Sequence, residues 1–281
     1  MAETLRRVLS RCSAVETGEA DAAEAGPPLL LLGPPGSGKT TLLFAAALEA
    51  AGEGRGPILF LTRRPLQNLP RGVAGTLDPL RLQKIRFQYP PSTRELLRLL
   101  CSAHEATGPV PSLVLLDSLE EYLAEDPGCQ EVAYLAALLL DTAAYFGHRA
   151  GPSRHCGLLV ALQTREEADS GETLQRALLQ RYFPAPCWLQ ADAAGPGEHS
   201  FRVCLEPGGP GPRAEWGVTF HPDGEMTITP WPPQTREPSL HKSSISRGSA
   251  LSCRGQPLSA SVSPGWNTSL SGTDAAPRPK E

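Results

Sequence analysis

The stretch Leu29-Leu-Leu-Leu-Gly-Pro-Pro-Gly-Ser-Gly-Lys-Thr-Thr-Leu-Leu43 sets four leucines against a burst of glycine and proline, then returns to apolar residues. Gly33-x-x-x-x-Gly38-Lys39-Thr40 fits G-x-x-x-x-G-K-[ST], the phosphate-binding loop that joins a strand to a helix. The flanks agree with it. Leu29 to Leu32 is a short apolar run of buried parallel-strand type, and Thr41 to Ala51 reads as an Ala/Leu helix. A triphosphate needs several backbone N–H groups converging on one concavity, which Gly33, Gly36 and Gly38 leave room for. Lys39 supplies a point charge for the β- and γ-phosphates, Thr40 a hydroxyl for Mg²⁺, and the opening helix its positive dipole end. The sequence therefore predicts ATP and Mg²⁺ as cofactors on Gly33, Pro34, Pro35, Gly36, Ser37, Gly38, Lys39, Thr40 and Thr41.

Such a loop holds only half of a metal. The other half is expected from an acid at the end of an apolar strand beside it in the sheet, and Asp117 in "SLVLLDS" meets that need. Asp117 as the N-cap of a helix over "SLEEYL" is the alternative. Further strand candidates are Ile58 to Thr62 and Leu158 to Thr164, and helix candidates alternate with them. "STRELLRLL" opens on a capping box, Ser92 with Glu95, and Gln130 to Phe146 lines up Val132, Leu135, Leu139 and Phe146 on one face. Strand-helix alternation implies a mostly parallel sheet with helices on both faces. After Trp188, "CWLQAD", "HSFRVCLE" and "EWGVTFHPDGEMTIT" alternate instead, with a turn at Asp223-Gly224, and predict antiparallel terminal strands.

This gives three segments: a short N-terminal helix and flexible linker over 1–28, an α/β nucleotide-binding domain over 29–230, and a disordered Ser/Pro-rich tail over 231–281. The 26 basic against 30 acidic residues leave net charge pointing to neither nucleic acid nor membrane. Seven scattered cysteines without C-x-x-C spacing suggest free thiols in a reducing compartment. No apolar run reaches the ~18 residues of a membrane span, and the N-terminus lacks the apolar stretch of a signal peptide, so the cytosol or nucleus is expected.

Leu29 to Thr41, "LVLLDS" and "LLVALQT" together resemble the ATPase core of RecA-like recombinases and their paralogues. The resemblance covers Leu29 to about Thr229. It implies a RecA-like fold in which Lys39, Asp117 and Gln163 act on the nucleotide, Gln163 sensing the γ-phosphate and leading into a mobile DNA-contacting loop over Arg165 to Gly171. The short N-terminus and the tail are most similar to the branch that pairs with a SWIM-type zinc finger protein in the animal Shu complex. That implies a nuclear accessory factor in homologous recombination and DNA repair, promoting or protecting recombinase filaments, with the SWIM-type protein, the recombinase and its paralogues, and single-stranded DNA as partners. One departure stands out. The family places a water-orienting glutamate after the second strand, where this chain has Arg63, Arg64 and Pro65, so slow, DNA-stimulated hydrolysis with intact binding is expected. Glu120 or Glu121 could take its place, though no spacing requires it. A nucleotide-binding scaffold without meaningful turnover is the alternative, and a small-molecule kinase ranks third.

Arg63 to Arg98 is rich in cations, with Phe87 and Tyr89 interleaved, as suits single-stranded nucleic acid. Candidate contacts are Arg63, Arg64, Arg81, Lys84 and Arg86, with Arg165 added by the resemblance; a solvated helical face with ordinary core aromatics is the other reading. Phe44-Ala-Ala-Ala47 matches the F-x-x-A pattern for docking into a recombinase, but lies in a helix where Phe44 belongs to the core.

Overall fold

The computed structural model describes residues 2–11, 26–54, 56–67, 70, 78–123, 128–152, 154–164, 170–191, 199–206, 213–221 and 226–231. The four leucines form β1 (Leu29–Gly33), and its alternating side chains feed two separate cores. Leu29 and Leu31 enter one apolar cluster and Leu30 and Leu32 the other, so both faces of the strand are covered. The first cluster is closed by α1 (Ala2–Arg11) and α2 (Lys39–Gly52), with the single turn α3 (Pro79–Leu82) resting beside α2. The second is closed by α4 (Thr93–Cys101), α5 (Cys129–Ala150) and α6 (Ser170–Tyr182).

The remaining strands are β2 (Ile58–Leu61), β3 (Ile85–Gln88), β4 (Leu113–Leu116), β5 (Gly157–Gln163), β6 (Ala185–Ala191), β7 (His199–Leu205), β8 (Ala214–Phe220) and β9 (Met226–Pro230). They form one sheet in the order β3-β2-β4-β5-β1-β6-β7-β8-β9. Pairings among β1 to β6 are parallel and those from β6 through β9 antiparallel, which is the expected α/β architecture. Three details correct the sequence reading. Ile85–Gln88 is an edge strand where the sequence shows only a basic, aromatic stretch, because four residues are too few for alternation to register. Cys187 to Ala191 of "CWLQAD" pair antiparallel with β7 as expected, but their strand β6 also pairs parallel to β1 on its other edge, with α6 as the crossover that parallel pairing needs. And β4, which carries Asp117, is separated from β1 by β5.

Helix α1 buries Leu5, Val8 and Leu9 on α2, and Arg7 pairs with Glu53 at 2.5 Å. It thus joins the same compact unit as the sheet, Met1–Pro233. Among the described residues no helix is long and apolar enough to cross a membrane, and the five described cysteines are free thiols. The Asp223-Gly224 turn, residues 165–169 of the expected loop and the tail beyond Trp231 lie outside the described residues, while Ser170 and Gly171, expected in that loop, open α6 instead.

Candidate nucleotide site

The loop leaves β1 at Gly33 and enters α2 at Lys39, at the carboxyl end of the parallel strands. Gly36 and Gly38 take φ of 75° and 82°, left-handed values costly to a residue with a Cβ. Gly38 has a second constraint: an added Cβ would stand 2.1 Å from Cζ of Phe220 on β8. Ser37 N donates to Pro34 O at 3.3 Å, closing the turn. Lys39 curls back so that Nζ donates to Gly33 O at 2.9 Å, Pro34 O at 2.7 Å and Ser37 Oγ at 3.4 Å. The residue is only 7 % exposed, and burial lowers the pKa of its ammonium against the attraction of Glu120 and Asp117.

Asp117 stands at the tip of β4, 4 % exposed, with burial pushing its pKa up to about 6 while the Thr40 hydroxyl pulls it down. Thr40 Oγ1 donates to Asp117 Oδ2 at 2.8 Å. This contact spans the intervening β5 because α2 crosses the sheet face over β2, β4 and β5. Asp117 Oδ1 is buried without a hydrogen-bond partner among the described residues. A buried carboxylate oxygen left unmatched beside a threonine hydroxyl fits a hard divalent cation such as Mg²⁺. Asp117 does not act as a helix N-cap: the residue preceding the next helical turn is Ser118.

Beyond Asp117, Ser118 takes φ of 61°, the one positive value among described non-glycine residues. This sharp turn starts a single 3₁₀ turn, Leu119–Tyr122, that folds back toward the loop. Its ends are tied down: Arg63 Nη1 donates to Glu121 O at 2.7 Å, Thr93 Oγ1 to Tyr122 O at 2.5 Å, and Tyr122 Oη to Pro90 O at 3.1 Å. Glu120 Oε2 accepts the backbone N–H of Gln163 at 2.9 Å, at the end of β5 and in register with Gly33. Lys39, Thr40, Asp117 and Gln163 are therefore gathered at one point, together with Glu120, which the sequence offers only as one of two candidates. Its placement depends on the left-handed Ser118 turn, which no sequence pattern announces.

The basic residues do not form one surface. Arg63 and Arg64 lie past the end of β2, on the nucleotide side. Arg63 also donates to Pro91 O at 3.0 Å, while Arg64 is 81 % exposed, 3.6 Å from Glu121. Arg81 and Lys84 are at the opposite end of the strands, where Lys84 Nζ donates to Ala51 O at 2.9 Å in the last turn of α2. Arg86 projects from edge strand β3. Arg165 lies outside the described residues. Phe87 and Tyr89 stack with centroids 6.3 Å apart, and Phe87 continues into the core against Phe60 and Phe44. Phe44 itself is fully buried, which keeps the F-x-x-A segment in the core.

No protein-family model matches the chain. Its sequence is 76 % identical over 224 residues to the human protein named ATPase SWSAP1, covering 80 % of this chain and 98 % of that one. The mouse protein of the same name is 57 % identical over 279 residues, 98 % of this chain and 99 % of its own length. Among solved structures, the RadB recombinase superposes with a TM-score of 0.54 at 18 % identity, over 73 % of this chain and 92 % of that one. The solved ATPase domain of a second protein does so with 0.51 at 10 % identity, over 73 % and 85 %. These two likenesses establish the RecA-like P-loop fold.

Proposed function

The chain belongs to the SWSAP1 ATPase family, and from that premise we propose that it is a nuclear, ATP-dependent accessory factor of homologous recombination. In this reading it binds Mg²⁺-ATP at Gly33 to Thr41 and Asp117, hydrolyses it slowly with stimulation by single-stranded DNA, and promotes or protects recombinase filaments in complex with a SWIM-type zinc finger protein. The observation that carries the nucleotide part is the 2.8 Å contact from Thr40 to Asp117, which joins the phosphate loop to its acid. Mg²⁺, when bound, supplies positive charge to the β- and γ-phosphates. Lys39 would exchange the carbonyls of Gly33 and Pro34 for phosphate oxygens, and Gln163, at the adjoining strand end, would report the γ-phosphate to the loop that follows it.

The measurement is ATP turnover with and without single-stranded DNA, on wild type and Lys39→Ala, with affinity capture of the full chain from nuclear extract. DNA-stimulated turnover, lost in the variant, and recovery of a SWIM-type zinc finger protein are expected. A second reading, a scaffold whose nucleotide is structural, is favoured by Arg63, which follows β2 and is committed to the carbonyls of Pro91 and Glu121. It predicts ATP binding with neither DNA stimulation nor release of ADP.

A further inference from the structure

We infer that Glu120 is the carboxylate that orients the attacking water in ATP hydrolysis and accepts its proton, an inference that rests on the nucleotide reading above. Hydrolysis at a γ-phosphate needs a group that holds water in line with the breaking bond. Asp117 is tied to the phosphate loop through the Thr40 hydroxyl, and Glu120 is tied to the strand end in register with Gly33 through the Gln163 N–H. Asp117 is committed to the Thr40 hydroxyl through one oxygen and suits a metal with the other. Glu120 has no such commitment to the metal half of the site. The end of β2 contributes Arg63, turned onto backbone carbonyls, and no carboxylate.

The placement of Glu120 is built rather than incidental. The left-handed turn at Ser118 reverses the chain after β4, and Arg63, Thr93 and Tyr122 fasten the 3₁₀ turn that carries Glu120. The Gln163 amide fixes Oε2 at the one strand end in register with Gly33. Gly33 is also the residue whose carbonyl holds Lys39 Nζ at 2.9 Å, so the strand end that anchors Glu120 adjoins the lysine's own anchor. Glu121 differs: its carboxylate faces the exposed Arg64 at 3.6 Å.

In the step, a lone pair of the water oxygen forms the new bond to the γ-phosphorus. The bond from that phosphorus to the bridging oxygen breaks, its electron pair leaving with ADP. The water proton passes to Glu120 and from there to bulk solvent, which returns the carboxylate to its starting state with ADP and inorganic phosphate as products.

The test compares wild type, Glu120→Gln, Glu120→Asp and Glu121→Gln in the full chain by three readings: binding of fluorescently labelled ATP, single-turnover hydrolysis, and Tm. Glutamine keeps an acceptor for the Gln163 amide, so Glu120→Gln is expected to bind ATP with wild-type affinity and Tm while its hydrolysis rate falls about 10²-fold. Glu120→Asp recovers part of the rate, and Glu121→Gln retains all of it. A wild-type rate in Glu120→Gln, with normal binding, overturns the inference and leaves Glu120 a bracket for the end of β5. Absence of ATP binding by wild type instead overturns the nucleotide reading, and the inference with it.

Discussion

Gly38 shows how tightly single residues are specified at the loop. Its φ of 82° already disfavours a side chain, and the Phe220 ring closes the space a Cβ would need. Gly38→Ala is therefore expected to lower stability by about 1–3 kcal/mol and to weaken ATP binding as well, because the strain relaxes by moving the loop. Urea denaturation and nucleotide titration check both; an unchanged protein contradicts the geometry. Asp117 makes a prediction with a sign. Burial raises its pKa from 3.8 to about 6, so the folded state binds its proton more tightly than the unfolded state does. The penalty is absent below the unfolded value, grows as pH rises through the folded value, and is complete at pH 7. Metal-free wild type should gain stability relative to Asp117→Asn as pH falls from 7 to 4. A difference between the two that does not move with pH contradicts the burial of an unmatched carboxylate.

At the scale of elements, the capping box is the clearest local signal: Glu95 N donates to Ser92 Oγ at 3.3 Å, at the start of α4. Ser92→Ala should cost about 1 kcal/mol, read as a shift in the urea midpoint with unchanged slope; no shift contradicts a role for the cap. The long apolar patterns are legible for the same reason, since burial on one or both faces leaves a period in the sequence. β1, β4, α4 and α5 all follow it. β3 is not legible, because four residues at a sheet edge carry one inward pair, Ile85 and Phe87, and no period. Nor is Glu120, whose position is set by one left-handed residue and three long-range hydrogen bonds rather than by spacing. The neighbour of β1 escapes the sequence as well: strand order depends on crossovers between distant segments, and β5, later in the chain, inserts between β4 and β1.

For the whole molecule, the sheet sorts the basic stretch by end. Arg64 is exposed on the nucleotide side, whereas Arg81 and Lys84 lie at the far end of the strands beside the last turn of α2. If single-stranded DNA is held where it can influence hydrolysis, Arg64→Glu should weaken DNA binding and flatten its salt dependence by about one counterion. Arg81→Glu should leave both unchanged. Fluorescence anisotropy across a salt series distinguishes them, and equal losses contradict an interface on the nucleotide side. The nucleotide site depends on one junction, where the loop after β1 meets the acid that follows β4 across β5. The most direct measurement is a crystal structure with Mg²⁺ and a non-hydrolysable ATP analogue. The expected result is Lys39 Nζ moved from the carbonyls of Gly33 and Pro34 onto phosphate oxygens, with the metal between Thr40 and Asp117. Nucleotide bound elsewhere, or Lys39 still on its carbonyls beside an occupied metal, would contradict it.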